Sequence, residues 1–105
     1  MTKLEKEIEA KLIKAVAKRG GKCLKWVCPG HAGVPDRILI FPNGVIFFAE
    51  IKRPTGGVIS PRQLAWSMQL TKLGFWTAFI KDEDSIDTLM LMVDDELARR
   101  RMVIT

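Results

Sequence analysis

The fold is decided by the stretch Val45-Ile46-Phe47-Phe48-Ala49-Glu50-Ile51-Lys52. Its aromatic and β-branched residues predict a buried strand. Because strand side chains alternate between faces, Phe48, Glu50 and Lys52 point one way, whereas Phe47, Ala49 and Ile51 point the other. Burying a carboxylate and an ammonium is costly unless they are paired or bind an ion. The strand therefore predicts a charged group at the border of the core.

A second strand precedes this one. Residues Asp36–Phe41 are rich in Ile, Leu and Phe, and Pro42-Asn43-Gly44 forms a turn, so the two strands predict a β-hairpin. The two arms are about equal in length. Asp36 therefore begins its strand at roughly the height where Glu50 ends its own, and two carboxylates and one amine converge.

The flanking segments predict three helices and two further strands. Apolar residues spaced three and four apart mark an amphipathic helix over 3–19, with Thr2 as a plausible N-cap and Gly20-Gly21 as the stop. The other predicted elements are a short strand Cys23–Cys28, a glycine- and proline-rich loop over 29–35, a loop Arg53–Ile59, a helix capped by Ser60 and ended by Gly74, a strand Phe75–Ile80 and a helix from Asp82 to about Val93.

This order of elements fits an α/β fold with a central mixed sheet flanked by helices. The step from Glu50 to Ile80 predicts a right-handed crossover between parallel strands. With 105 residues, of which 48% are hydrophobic and 28% charged, the chain predicts one folded domain over 1–105.

The charge balance favours a polyanionic partner without identifying one. There are 17 Lys and Arg against 12 Asp and Glu, a net charge of +5.

No apolar run approaches the length needed to span a bilayer, so no membrane partner is expected. Cys23 and Cys28 would point to opposite faces of a strand, which argues against a disulfide or a shared metal. We expect a cytoplasmic location.

The converging charges suit phosphodiester hydrolysis. The oxygen ligands of Asp36 and Glu50 are those that magnesium or manganese prefers, and such an ion lowers the pKa of bound water, so no histidine base is required. Lys52 would orient or deprotonate the attacking water. The alternative is a surface salt bridge between Glu50 and Lys52, with Asp36 capping a turn. The apolar character of the strand favours the metal site.

Four segments resemble a known family. They are Gly33-Val34-Pro35-Asp36-Arg37, Phe47-Phe48-Ala49-Glu50-Ile51-Lys52, Ser60-Pro61-Arg62-Gln63 and Leu73-Gly74-Phe75. Together they resemble the PD-(D/E)XK nuclease superfamily, and within it the small phage-type VRR-NUC domains, relatives of archaeal Holliday-junction resolvases. The resemblance implies a restriction-endonuclease-like core and a nuclease activity.

The resemblance also implies roles for individual residues. Asp36, Glu50 and the backbone carbonyl of Ile51 would ligate Mg²⁺ or Mn²⁺, Lys52 would be the catalytic lysine, and Gln63 would lie near the site. An acidic residue on the first helix commonly completes such sites. Glu9 is favoured because it borders the apolar stripe, while Glu5 and Glu7 stay open. The family further implies a homodimer inside a bacterial or phage-infected cell.

Several residues outside this group could contact DNA. The candidate phosphate contacts are Lys25, His31, Arg37, Arg53 and Arg62. Trp26 and Trp66 are expected in the core rather than stacked on bases. Residues 99–101 are interpreted as a solvated helix end rather than a DNA-binding tail, and 102–104 as an edge strand or a subunit contact.

The expected function is metal-dependent DNA endonuclease activity, with Holliday-junction or flap DNA as possible substrates. The alternative is a catalytically silent DNA-binding or nuclease-accessory module of the same fold. A small-molecule hydrolase would need a nucleophile elbow, a phosphate-binding glycine loop or a histidine metal cluster, and the sequence has none of these motifs. The preferred DNA structure and the cleavage polarity do not follow from the sequence.

Overall fold

A four-stranded sheet with helices on both faces forms the body of the protein. The structure, a computed structural model, describes residues 3–104, and their side chains as far as residue 101. The elements are α1 (Lys3–Lys18), β1 (Lys22–Lys25), β2 (Arg37–Ile40), β3 (Ile46–Ile51), α2 (Pro61–Lys72), β4 (Trp76–Ile80) and α3 (Glu83–Ile104). The predicted α/β architecture is confirmed.

The strands lie in the order β1-β2-β3-β4. β1 pairs with β2 and β2 with β3 in antiparallel fashion, whereas β3 and β4 are parallel, so the sheet is mixed as expected. The hairpin turn is tight: Asn43 has a left-handed φ of 62°, which asparagine tolerates better than most residues. The N–H of Phe41 donates to the carbonyl of Val45 at 2.8 Å and closes the turn.

The main core fills one face of the sheet. Phe47, Ala49 and Ile51 of β3 point into it, and α1 and α3 cover it. The largest fully buried side chains here are Phe47, Leu12, Leu39, Ile80, Leu89, Val16, Val45 and Val93. Leu12 and Val16 lie four residues apart on α1, as the amphipathic pattern predicted.

The opposite face of β3 carries Phe48 and Glu50. The ring of Phe48 packs against Trp26, with centroids 4.9 Å apart, and against Phe75 at 5.6 Å. Helix α2 lies on this side, since its Gln63 reaches Glu50. The alternation read from the sequence is thus confirmed, and it places the Glu50 carboxylate beneath α2.

Two element boundaries were predicted wrongly. The first strand ends at Lys25, so Cys28 lies in the following loop, and both cysteines are free. The last helix continues to Ile104 instead of ending near Val93, so 102–104 do not form an edge strand. Ion pairs one turn apart, Arg99 to Asp95 and Arg100 to Glu96, support the extension.

Thr2, the expected cap of α1, lies outside the described residues. Over the described stretch 3–104, no helix combines the length and the apolar character that crossing a membrane requires.

Candidate active site

Asp36 is fixed at the point where the loop enters β2. Its carbonyl accepts a hydrogen bond from the Trp26 N–H at 2.9 Å, which extends the β1–β2 ladder by one step. Arg37 pairs with Ala49 in the next ladder, so Asp36 stands beside Glu50. Its carboxylate oxygen Oδ2 accepts from the backbone N–H of Ile51 at 2.9 Å. The hairpin register therefore brings the two carboxylates together, as its equal arms predicted.

Glu50 is only 5% exposed although it is acidic. Burial, and after it the neighbouring Asp36 charge, raise the pKa of its carboxyl to about 7. The Lys52 ammonium, 3.9 Å from Glu50 Oε1, acts in the opposite direction and lowers the pKa. One amine at that distance does not offset burial and a second carboxylate. The pair of acids would be stabilised by an additional cation.

Gln63 connects the carboxylate of Glu50 with the amine of Lys52. Its Oε1 accepts from Lys52 Nζ at 2.7 Å, and its Nε2 donates to Glu50 Oε1 at 2.8 Å. Both ends of the amide are thereby used, which fixes its orientation. The family resemblance implied that Gln63 lies near the site, and in the structure it bridges Glu50 and Lys52.

The position of Gln63 is set by the start of α2. Ser60 caps the helix: the Gln63 N–H donates to Ser60 Oγ at 3.1 Å, and Gln63 Oε1 accepts from the Ser60 N–H at 2.9 Å. This reciprocal pair is a capping box, and Pro61 occupies the first helical position. Sequence reasoning identified the Ser60 cap but missed this second bond, although the Ser-x-x-Gln spacing signals it.

The loop before Asp36 packs closely on the first turn of α2. Gly33 has φ of +91°, and a Cβ built there would lie 2.7 Å from Arg62 Cβ and 2.8 Å from its carbonyl carbon. No other residue type fits this approach without displacement. His31 in the same loop contacts Trp66 of α2 edge-to-face at 5.8 Å. The loop thus couples the position of Asp36 to the helix that carries Gln63.

Glu9 and Arg37 do not take the places expected of them. Arg37 is 7% exposed. Its guanidinium binds Glu9 Oε2 at 3.0 to 3.1 Å and the Cys23 carbonyl at 3.3 Å. A buried, paired guanidinium is not available to phosphates, so the expectation that Arg37 contacts DNA is not supported. The Glu9 carboxylate neutralises this arginine and does not join Asp36 and Glu50.

The donor set fits a hard divalent cation in part. Asp36 and Glu50 supply carboxylate oxygens, and the Ile51 peptide adjoins them through its bond to Asp36. Among the described side chains, no group of three or more His, Cys, Asp or Glu is arranged to hold a metal. Two carboxylates with water and substrate oxygens suffice for magnesium, which usually keeps several waters.

The remaining candidate contacts lie on the surface. The exposed cations are Lys25, Arg53 and Arg62, and His31 is also exposed. Arg62 and His31 line one cavity with Trp66, whereas Arg53 lines another with Lys52. Trp26 and Trp66 were both expected in the core, but both are only half-buried and lie outside the main core: Trp26 packs on Phe48, and Trp66 lies beside His31.

Comparison with known proteins relates the chain to nucleases. It is 41% identical over 80 residues to "Putative nuclease p44" of Acyrthosiphon pisum secondary endosymbiont phage 1, an alignment that covers 76% of this chain and 85% of the phage protein. A solved structure described as a VRR_NUC domain superposes with a TM-score of 0.78 at 26% identity, covering 85% of this chain and 96% of that one. No family model matches the sequence.

Proposed function

Because the chain belongs to the VRR-NUC family of nucleases, we propose that it is a divalent-metal-dependent endonuclease that hydrolyses phosphodiester bonds in DNA. The observation that carries the proposal is the convergence of Asp36 and Glu50, whose mutual repulsion and burial raise the pKa of Glu50 to about 7. Such a pair is unfavourable by itself and is suited to hold a divalent cation.

Each residue of the group has a distinct task. Asp36 and Glu50, with the carbonyl of Ile51, would hold Mg²⁺ or Mn²⁺. When bound, the ion neutralises charge on the phosphate and lowers the pKa of a coordinated water. Lys52 orients the attacking water, because its Nζ is held by Gln63 next to the Glu50 carboxylate. Gln63 is a positioning residue that fixes both side chains.

DNA is the proposed substrate, and its phosphates would meet the exposed cations around the group. Lys25, Arg53 and Arg62 are exposed at the ends of β1, β3 and the start of α2, and His31 lies in the loop between. The net charge of +5 favours a polyanion in general. Arg37 is not among these proposed phosphate contacts, because its guanidinium forms a buried ion pair with Glu9.

Cleavage assays with labelled linear DNA test the activity itself. We expect cutting with Mg²⁺ or Mn²⁺, none with chelator, and loss of cutting in Asp36→Ala and Lys52→Ala. Lys72→Ala, an exposed lysine at the other end of α2, is the matched control and retains the activity. Cutting that survives both site substitutions would refute the proposed site. Binding without cutting, with either ion, would establish the catalytically silent alternative.

We further propose that the substrate is branched DNA and that two copies of the chain act together. β4 lies at an edge of the sheet, where its unpaired backbone groups and the 51% exposed Trp76 would be available to a second copy. Flap and four-way junction substrates should be cut faster than linear duplex. Sedimentation should give the mass of a dimer, and a monomer that prefers linear DNA would reject both parts of this proposal.

A further inference from the structure

A cavity begins at Lys52 and extends away from the two carboxylates. Neither Asp36 nor Glu50, the proposed metal ligands, lines it. It encloses about 420 Å³ between the end of β3, the loop that follows, and the end of β4. Since one water takes up about 30 Å³, the space admits a sugar-phosphate unit. Lys52 lines this cavity and also donates a hydrogen bond to Gln63, so the cavity adjoins the proposed active site.

The charge of the cavity is positive. Its lining includes Lys52, Arg53 and Lys81, and none of the described residues that line it is acidic. Asp82 follows Lys81 in the chain, but its carboxylate is engaged elsewhere. Asp82 Oδ1 accepts from the Ser85 N–H and from the Ser85 hydroxyl, both at 2.8 Å, and so caps the start of α3. The cations of the cavity are thus not neutralised by this neighbouring acid.

The loop after β3 forms one wall of the cavity, and its shape is held by a contact between Arg53 and Gly56. An Arg53 guanidinium nitrogen donates to the Gly56 carbonyl at 3.0 Å. A Cβ on Gly57 would lie 2.9 Å from the Arg53 carbonyl oxygen and 3.2 Å from Lys52 Cβ. Glycine therefore permits the close approach of backbone to backbone that shapes this wall.

We propose that this cavity binds the backbone phosphate of the DNA strand adjacent to the scissile phosphate, and that Lys81 is a phosphate-binding residue. The proposal rests on the proposed nuclease function. Lys81 directly follows β4 and Arg53 lies in the loop after β3, and both line the cavity, so the two cations would contact the phosphate from different segments of the chain. Lys52 lies between the metal-binding acids and this phosphate.

The salt dependence of DNA binding tests the proposal. Binding of labelled duplex would be measured by fluorescence anisotropy from about 50 to 300 mM NaCl, with Ca²⁺ added in place of a catalytic ion. Removal of one phosphate contact flattens the slope of log K against log salt by about 0.9. We expect this change, together with weaker binding, for Lys81→Gln, and a slope near that of the wild type for Lys81→Arg.

Lys72→Gln removes the same charge from an exposed site at the far end of α2 and should leave the slope unchanged. A wild-type slope for Lys81→Gln, or an equal loss for Lys72→Gln, would overturn the assignment of Lys81. Either outcome leaves the nuclease proposal standing provided that the wild-type protein still binds DNA. A wild-type protein that binds no DNA would overturn both.

Discussion

Lys52 Nζ and Gln63 Oε1 are joined by a hydrogen bond of 2.7 Å, although Lys52 directly follows β3 and Gln63 lies in the first turn of α2. The same amide donates to Glu50. A residue at the start of α2 therefore holds together the carboxylate of Glu50, on β3, and the amine of Lys52, just after β3. The geometry of the site depends on the docking of α2 as much as on the strand itself.

Replacement of Gln63 should slow cleavage more than it weakens folding. Gln63→Ala removes the bridge between Glu50 and Lys52, and loss of such a positioning partner typically costs about 10- to 100-fold in activity. Loss of its capping bond should cost about 1 kcal/mol of stability. Gln69→Ala, at an exposed position of the same helix, is the control and should cut normally. Cleavage by Gln63→Ala at the wild-type rate would show that the bridge has no functional role.

Substitution of two glycines in one loop should distinguish the cost of backbone strain from the cost of a steric clash. Gly30 and Gly33 both have positive φ, +84° and +91°, but a Cβ at Gly30 meets nothing within 4 Å whereas one at Gly33 collides with Arg62. We expect Gly30→Ala to lose about 1 kcal/mol in the free energy of unfolding and Gly33→Ala about 3 kcal/mol. Urea denaturation would measure both, and equal losses would contradict the close packing of the loop on α2.

The ion pair between Glu9 and Arg37 predicts that substitution of Glu9, which was expected to bind metal, lowers the stability of the protein. Glu9→Gln leaves a guanidinium that is nearly buried without its partner, which should destabilise the protein by about 3 kcal/mol. Glu7→Gln, at an exposed position of α1, should change stability by less than about 0.5 kcal/mol. If Glu9→Gln is as stable as wild type but no longer binds Mn²⁺, Glu9 is a metal ligand after all.

The raised pKa of Glu50 predicts how stability depends on pH in the absence of metal. The folded state keeps the proton up to about pH 7, whereas the unfolded chain releases it near the ordinary pKa of about 4.5. Stability is therefore lost as pH rises through this interval. Denaturation in chelator at several pH values should show this loss in wild type and a smaller one in Glu50→Gln. An identical pH dependence in the two proteins would contradict the burial of an ionisable Glu50.

Much of this architecture follows from local sequence. The alternation along β3 and the equal hairpin arms predicted that Asp36 and Glu50 meet, and the spacing on α1 predicted its buried stripe. These signals are short-range, since strand period, turn chemistry and helix period each act within a few residues. The assignment of a nuclease came from the resemblance, not from the geometry.

Two features that the sequence did not predict depend on contacts between distant residues: the Glu9–Arg37 pair and the position of Lys81 beside Lys52. Arg37 and Glu9 are 28 residues apart, and their pairing, which withdraws both charges from the site, has no local signature. Lys81 stands alone after its strand, and only the parallel pairing of β3 with β4 brings it near Lys52. By contrast, the continuation of α3 beyond Val93 has a local signal, since Asp95 with Arg99 and Glu96 with Arg100 are spaced one helical turn apart.

Binding of Mn²⁺ to the folded protein tests the central claim most directly. Titration calorimetry should show saturable binding to the wild type and to Glu7→Gln. Binding should be weakened at least about tenfold in Asp36→Asn and in Glu50→Gln, because each loses a charged oxygen ligand. Folding of every variant would be checked by circular dichroism. Undiminished Mn²⁺ binding by a folded protein that carries both site substitutions would contradict the claim that Asp36 and Glu50 hold the metal.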